Sequence, residues 1–471
     1  LLFLGVPVDE AAVDAALPRL GAGGLARLGL AAIAAGKVRP LVLVRPQDDE
    51  DAGAGGSDRV SATGSGPWWI ASDLDEAALS GQGGGPLPAG HVLGVGRASL
   101  TLAGLQLDTP TGRVLDVGTG SGIQALRARR TAASVVATDV SERALAFTRL
   151  NALLNGVDGI ETRHGDLFEP VAGELFDRVV SNPPFVITPR VAGVPTYDYR
   201  DAGLVGDDLV AAFVVGVGDV LAPGGTAQLL GNWEYRVGVD GLDRVRGWIA
   251  ASAVPMEAWV IERERLDPLA YAELWVRDGG TAPGTAGYAE LVEAWLSDFA
   301  SRGVSAIGFG YLLLRRPASD APPARLQRYE RIVHPLGAGL GAGTGAGLGR
   351  HLRQALETFD ALAALDDTAL ASARLMVAGD VTEARHHLPG AEAPSVIELR
   401  QGGGLARTIE VDPALAALVG ACDGELTVGA LIAAIAELLE VDAAALRADL
   451  LPRVRELTFT GFLNLPGLAG A

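Results

Sequence analysis

The segment Asn182-Pro183-Pro184-Phe185 closes an apolar run and holds residue types suited to group transfer. Two adjacent prolines remove two backbone donors and fix φ, so a central strand cannot continue through them and the chain must make a stiff turn. The Asn182 side-chain oxygen and the Pro183 carbonyl are then two fixed acceptors. A planar NH2 group, in a carboxamide or an aromatic amine, brings two donors. Paired acceptors can hold such a nitrogen in line with an electrophile and favour the loss of planarity that attack requires. Phe185 can stack on the flat group. No strong base is needed, because the nitrogen becomes acidic as it gains the new bond.

The electrophile has its own signature upstream. Leu115 to Gly122 reads LDVGTGSG at the end of a strand and the start of a helix. Glycines at 118, 120 and 122 permit a tight turn and close approach of a ligand, with Asp116 and Thr119 between them. Asp139, followed by Val140, ends the next strand about 20 residues on, where a carboxylate can accept from both hydroxyls of a ribose. A dinucleotide fingerprint needs Gly or Ala where Ile123 stands, so the pattern favours S-adenosylmethionine, which has no pyrophosphate to cradle. In GDLF, Asp166 can accept from an adenine amine while Leu167 packs on the ring. The plainer alternatives are a tight turn without ligand at the glycines and a solvated acid at Asp166.

These residues need a scaffold that brings strand ends together. RVLDVG, SVVATDV, FDRVVS and TAQLLG read as strands separated by helices, and IGFGYLLLRR as the last strand, the βαβ pattern of a mostly parallel sheet. Ser141 caps a helix that stops at Asn155-Gly156. The expected division is an N-terminal α+β domain over 1–90, with winged-helix-like as one form of it, a catalytic domain over 91–318, a Gly-rich linker over 319–350 and a winged-helix-like domain over 351–471. Pro452 is expected to interrupt the last long helix. Trp233 is read as core and His164 as structural.

LDVGTGSG, Asp139, GDLFEP and NPPF in this order resemble the class I S-adenosylmethionine-dependent methyltransferases. GDLFEP, NPPFVITP and YRDAGLVGDDL resemble more narrowly the HemK/PrmC-type enzymes that methylate the glutamine amide of release factors, and related small methyltransferase domains act on exocyclic amines of RNA or DNA. The resemblance covers about Val92 to Arg316. It implies a Rossmann-like core with a seven-stranded sheet, Asp116, Gly118, Gly120 and Asp139 as cofactor contacts, Asp166 as an adenine contact and Asn182 to Phe185 as the catalytic turn. The glutamine enzymes usually carry Tyr where Phe185 stands. The implied function is N-methylation of a planar amide or exocyclic amine in a protein, RNA or DNA, with Tyr199 and Arg200 as substrate residues. In this enzyme class the segment before the first core strand folds over the methionine part of the cofactor, which makes Ser99 and Thr101 candidates there. A non-catalytic cofactor-binding scaffold is the alternative.

Composition narrows the partners. Acidic residues outnumber basic ones by 57 to 38, giving a net charge of -19, which disfavours broad non-specific nucleic-acid binding. Cys422 is the sole cysteine, so an internal disulfide and a cysteine-rich zinc site are excluded, in keeping with a cytoplasmic setting. His386-His387 lacks partners at ligand spacing, and no metal is expected. The opening LLFLGVPV is too short to span a membrane before Asp9 and Glu10, and no membrane association is expected.

Overall fold

One sheet is built from β1 (Thr111–Val117), β2 (Ala132–Asp139), β3 (Ile160–His164), β4 (Phe176–Ser181), β5 (Leu221–Arg236), β6 (Glu257–Leu266), β7 (Val304–Arg315) and β8 (Gln327–Arg331), most of them apolar runs. Their order is β8-β6-β7-β5-β4-β1-β2-β3. Strand β7 pairs antiparallel with β5 and β6, and the remaining pairs are parallel. The helices of this unit from residue 97 on are α1 (Arg97–Leu105), α2 (Ile123–Ala128), α3 (Glu142–Leu154), α4 (Asp208–Val220), α5 (Gly241–Ala250), α6 (Pro268–Asp278) and α7 (Ala286–Ser301). This computed structural model describes residues 1–47, 68–81, 90–191, 193–195, 203–318, 326–336 and 348–465.

The expected seven strands are joined by an eighth. Strand β8 falls in the stretch read as linker, because its sequence QRYER has no apolar run to announce a strand. It lies at the sheet edge, where charged side chains are tolerated and discourage further pairing. Buried Glu262 on β6 receives the Arg331 guanidinium at 3.2 Å and binds the strand to the sheet. The LGAGLG stretch itself, over 337–347, lies outside the described residues.

The chain forms two compact units. The first is Leu1–Gln106, Pro110–Ser319 and Gln327–Val333; the second is Leu107–Thr109, Asp320–Leu326 and His334–Ala471. The N-terminal residues therefore cluster with the core. They contribute the helices Glu10–Ala16 and Gly21–Arg27, a three-stranded sheet, and a pair of strands, Leu43–Gln47 with Trp68–Ser72. Ala31–Ala34 is one strand of that three-stranded sheet. The second unit is also α+β, with a three-stranded antiparallel sheet and five helices among the described residues. Its helix Ala443–Phe459 runs through Pro452, where burial of Leu450, Leu451, Val454 and Leu457 outweighs the lost backbone bond. No helix among the described residues is long and apolar enough to cross a membrane.

Helix α3 holds the strand Trp68–Ser72 by two asparagines. Asn151 Oδ1 accepts from the Ala71 N–H at 2.7 Å, and its Nδ2 donates to the carbonyls of Ala71 (2.9 Å) and Ser121 (2.7 Å). Asn155 treats Trp69 the same way, at 2.8 and 2.9 Å. One helical turn matches two strand residues in rise, so residues four apart on the helix meet residues two apart on the strand edge. The pair stands in for a missing neighbour strand, and through Ser121 it braces the glycine loop. Replacing Asn151 by Ala leaves three buried backbone groups unpaired, and the expected loss is about 2–4 kcal/mol of unfolding free energy in urea titration of the full chain. A loss below about 0.5 kcal/mol would show that water replaces the amide there.

Candidate active site

Sheet register gathers the expected site residues on one rim. Val117 pairs with Thr138 on one side and with Ser181 on the other, and Asp139 pairs with His164. The next residues along the four strands are Gly118, Val140, Gly165 and Asn182, so each strand releases its loop at the same level. Order reverses between β1 and β4, and this switch point is where open α/β sheets form a crevice at their carboxyl ends. Ser181 Oγ donates to the Val117 carbonyl at 2.8 Å and locks the two strand ends together. A cavity of ≈ 580 Å³ opens there.

The glycine loop is shaped by backbone demands. Gly118 and Gly120 have φ of 70° and 55°, and the Thr138 carbonyl accepts from the N–H groups of Gly118 and Thr119. A Cβ on Gly118 or Gly120 would meet no protein atom within 4 Å, so both leave open a space that a ligand can fill. Gly122 differs. A Cβ there would lie 3.0 Å from the Thr148 side chain, so this glycine serves the packing of α3 against the loop, and it is absent from the cavity wall. Asp116 is likewise fully buried behind the wall and acts through Thr119, whose hydroxyl donates to its Oδ2 at 2.7 Å. Both placements have one cause: a strand-to-helix turn must be packed from below as well as opened above. Thr119, Asp139, Val140, Asp166 and Leu167 do line the cavity. Asp139 is oriented by the Gly120 and Ser141 N–H groups, at 3.0 and 2.8 Å.

Strand β4 stops at Ser181, and Asn182, Pro183, Pro184 and Phe185 form part of the wall. Asn182 Nδ2 donates to Ser99 Oγ at 3.2 Å, whereas Oδ1 is covered and has no partner among the described residues. An unpaired buried carbonyl costs about 1–3 kcal/mol, which makes it a marker of a functional position. Phe185 rests on Phe309, with ring centroids 5.4 Å apart. Beyond it, the Tyr271 hydroxyl accepts from the Ile187 N–H at 3.0 Å and from Asn232 Nδ2 at 2.5 Å, tying the corner to α6 and β5. Trp233 is fully buried, and His164 binds the Val140 carbonyl at 2.9 Å outside the cavity. Tyr199 and Arg200 lie outside the described residues.

Several wall residues carried no motif. Arg190, Leu209, Trp275 and Asp278 enter the cavity from segments far apart in the chain, and Gln124 enters from the second position of α2. Ser99 and the backbone from Gly90 to Gly96 also face it, whereas Thr101 does not. Among the described residues no group of three or more His, Cys, Asp or Glu is placed to hold a metal.

Residues 95–193, which hold the glycine loop, Asp139 and the Asn182 corner, match the family model for the methyltransferase small domain. The core is a class I methyltransferase fold. Its relatives by sequence include the release factor glutamine methyltransferase of Xylella fastidiosa (strain 9a5c), 34% identical over 150 residues, or 30% of this chain and 54% of that one. The Enterococcus faecalis release factor glutamine methyltransferase is 46% identical over 101 residues, covering 20% of this chain and 36% of its own. A ribosomal protein L11 methylase from Lactobacillus delbrueckii subsp. bulgaricus superposes with a TM-score of 0.28 at 19% identity, covering 48% of this chain and 81% of that one. The chain spans about half or less of the length of these sequence relatives. Residues 356–465 match a second family model, described as a domain of unknown function (DUF7782).

The methyltransferase core fits S-adenosylmethionine: the space above Gly118 and Gly120 is open, and the Asp139 carboxylate stands at the end of β2 beside it. Asp116 has a consequence for stability. Burial pushes its pKa up from 3.8 to about 7; the Thr119 hydroxyl opposes that rise and the nearby Asp139 adds to it. Its folded-state pKa lies above the unfolded value, so its contribution is fully present below pH 3.8 and is lost as pH rises through about 7. Asp116→Asn cannot titrate, and Thr119 can still donate to its amide oxygen. Its stability relative to the parent is expected to climb between pH 4 and 7, by on the order of 4 kcal/mol, and then level off. A difference that stays flat across chemical-denaturation curves at pH 4, 5.5, 7 and 8 would mean that Asp116 is ionised throughout.

Proposed function

We propose that this protein is an S-adenosylmethionine-dependent N-methyltransferase whose acceptor is a glutamine side-chain amide in a protein of the translation apparatus. The observation that carries the proposal is the covered, unpartnered Oδ1 of Asn182, a residue that lines the same cavity as Gly118, Gly120 and Asp139. A binding-only scaffold has no use for an orphaned acceptor at that point. The relatives named for release factor glutamine and for ribosomal protein uL3 glutamine methylation support the amide as the acceptor group.

The bound cofactor supplies an activated methyl on a sulfonium. Asp139, fixed by two backbone N–H groups, accepts from the ribose hydroxyls, and Asp166 with Leu167 receives the adenine. Asn182 Oδ1 and the Pro183 carbonyl take the two hydrogens of the incoming NH2 and bias its lone pair toward the methyl. Phe185, pressed on Phe309, stacks on the flat amide. Because Oδ1 exposes under 1 Å², entry of the acceptor must displace what covers it. The nitrogen takes the methyl, which leaves the sulfonium as a thioether, and the proton passes from the methylated nitrogen to water after the methyl has arrived, so no side-chain base takes part.

Methyl-labelled cofactor should transfer its label to a macromolecule of a cell lysate, and the label should survive ribonuclease and deoxyribonuclease but not protease. Label lost to ribonuclease would replace the glutamine with a base amine, and cofactor binding with no transfer would leave a scaffold. Asn182→Ala should keep cofactor affinity near normal by calorimetry while transfer falls more than about tenfold, as loss of a transition-state contact requires. Lost cofactor affinity in that variant would place Asn182 in the wrong role.

A further inference from the structure

The catalytic corner is held from one side by helix α1. Ser99 Oγ accepts from Asn182 Nδ2 at 3.2 Å, and the Ser99 carbonyl accepts from Gln124 Nε2 at 2.7 Å. Gln124 is buried, and its Oε1 accepts from buried Gln106 Nε2 at 2.8 Å. Gln106, Gln124, Ser99 and Asn182 thus form one run of hydrogen bonds. It leads from the helix that follows the glycine loop to the acceptor corner, across residues as much as 83 apart in sequence.

The two ends of an amide are chemically unlike, and an uncharged cavity wall does not choose between them. An acceptor NH2 brings its own hydrogens, so only the Oδ1 end of Asn182 is useful to it. A serine hydroxyl can donate or accept, and here it engages the nitrogen end, which turns Oδ1 away from α1. The amide of Gln124 in turn fixes Ser99, because its Nε2 already holds the Ser99 carbonyl and its Oε1 is taken by Gln106.

We infer that Ser99 is a positioning residue: its hydroxyl accepts from Asn182 Nδ2 and so leaves the unpartnered Oδ1 as the end of the amide that meets the incoming nitrogen once its cover is displaced. The inference rests on the reading of Asn182 as the substrate's acceptor. It gives Ser99 a part beyond the place over the cofactor expected from the sequence, since its hydroxyl meets the Asn182 amide.

The chain has five asparagines, so selective ¹⁵N labelling of Asn in the full-length protein gives a side-chain amide spectrum simple enough to assign by Asn182→Ala. Ser99→Ala should move the Asn182 amide pair and leave the other four in place. Its transfer of labelled methyl to the lysate acceptor should fall about tenfold, with cofactor affinity within about threefold of the parent. Ser99→Thr should restore most of the rate, and Ser99→Ala placed on Asn182→Ala should cause no further loss, because the two act through one contact. Parent-like transfer in Ser99→Ala, an unmoved Asn182 resonance or an additive double variant would overturn the inference, as would a loss confined to cofactor affinity. If Asn182→Ala itself transfers methyl normally, the functional reading fails; if it is inactive while Ser99→Ala is normal, only the role of Ser99 fails.

Discussion

The site depends on one parallel pairing, Val117 with Ser181, closed by the Ser181 hydroxyl on the Val117 carbonyl. Neighbouring strands lie about 4.8 Å apart, so the residues that follow, Gly118 and Asn182, begin their loops within one strand spacing of each other. A slip of one residue would send Asp116 or Gly118 to the wrong face and separate the glycine loop from the Asn182 corner. The buried strands resist that slip, since Val114, Leu115, Val179 and Val180 are all fully enclosed. Core packing therefore sets the distance over which the chemistry would occur.

Rigidity then enters at each loop by a different device. The diproline corner is stiff because its φ angles are fixed and its far side is tied through Ile187 to the Tyr271 hydroxyl. The glycine loop is stiff because Thr138, Thr148 and Asn151 hold its backbone from beneath. Asp139 is held by the loop it helps to shape, through the Gly120 N–H. Preorganised acceptors of this kind need no rearrangement when charge moves, which is the condition under which electrostatic help is largest.

Sequence revealed the parts of the site that make demands on the backbone at strand ends. Glycines at 118 and 120, the acid at 139 and the proline pair at 183 and 184 each leave a local trace. Gly122 shows the limit, because close approach of a ligand and close approach of α3 both require glycine and only coordinates separate them. Strand β8 left no trace, being polar throughout and held by one arginine to a buried glutamate. Arg190, Trp275 and Asp278 left none either, since a helical or loop residue gains its place in a wall only from tertiary packing. Asn151 and Asn155 read as ordinary helix residues and a cap, yet they hold the N-terminal strand.

The cavity wall has a second fixed frame, and its composition explains its purpose. Asp207 and Glu234 have wholly buried side chains and meet Arg244, Arg236 and Arg302, with Asp298 also on Arg302. Burial raises the Asp207 pKa, and the hydrogen bond from Arg244 opposes the rise. Three arginines balance three carboxylates, but taking such charges from water costs about as much as their attraction returns. The gain is in geometry. Asp207 Oδ2 accepts from the Glu234 N–H at 2.8 Å, which fixes the start of α4 against β5, and Gly206 fits only because a Cβ there would strike Glu234. Leu209, the second residue of the same helix, forms part of the cavity wall. The network thus converts an expensive burial of charge into a defined position for part of the cavity wall.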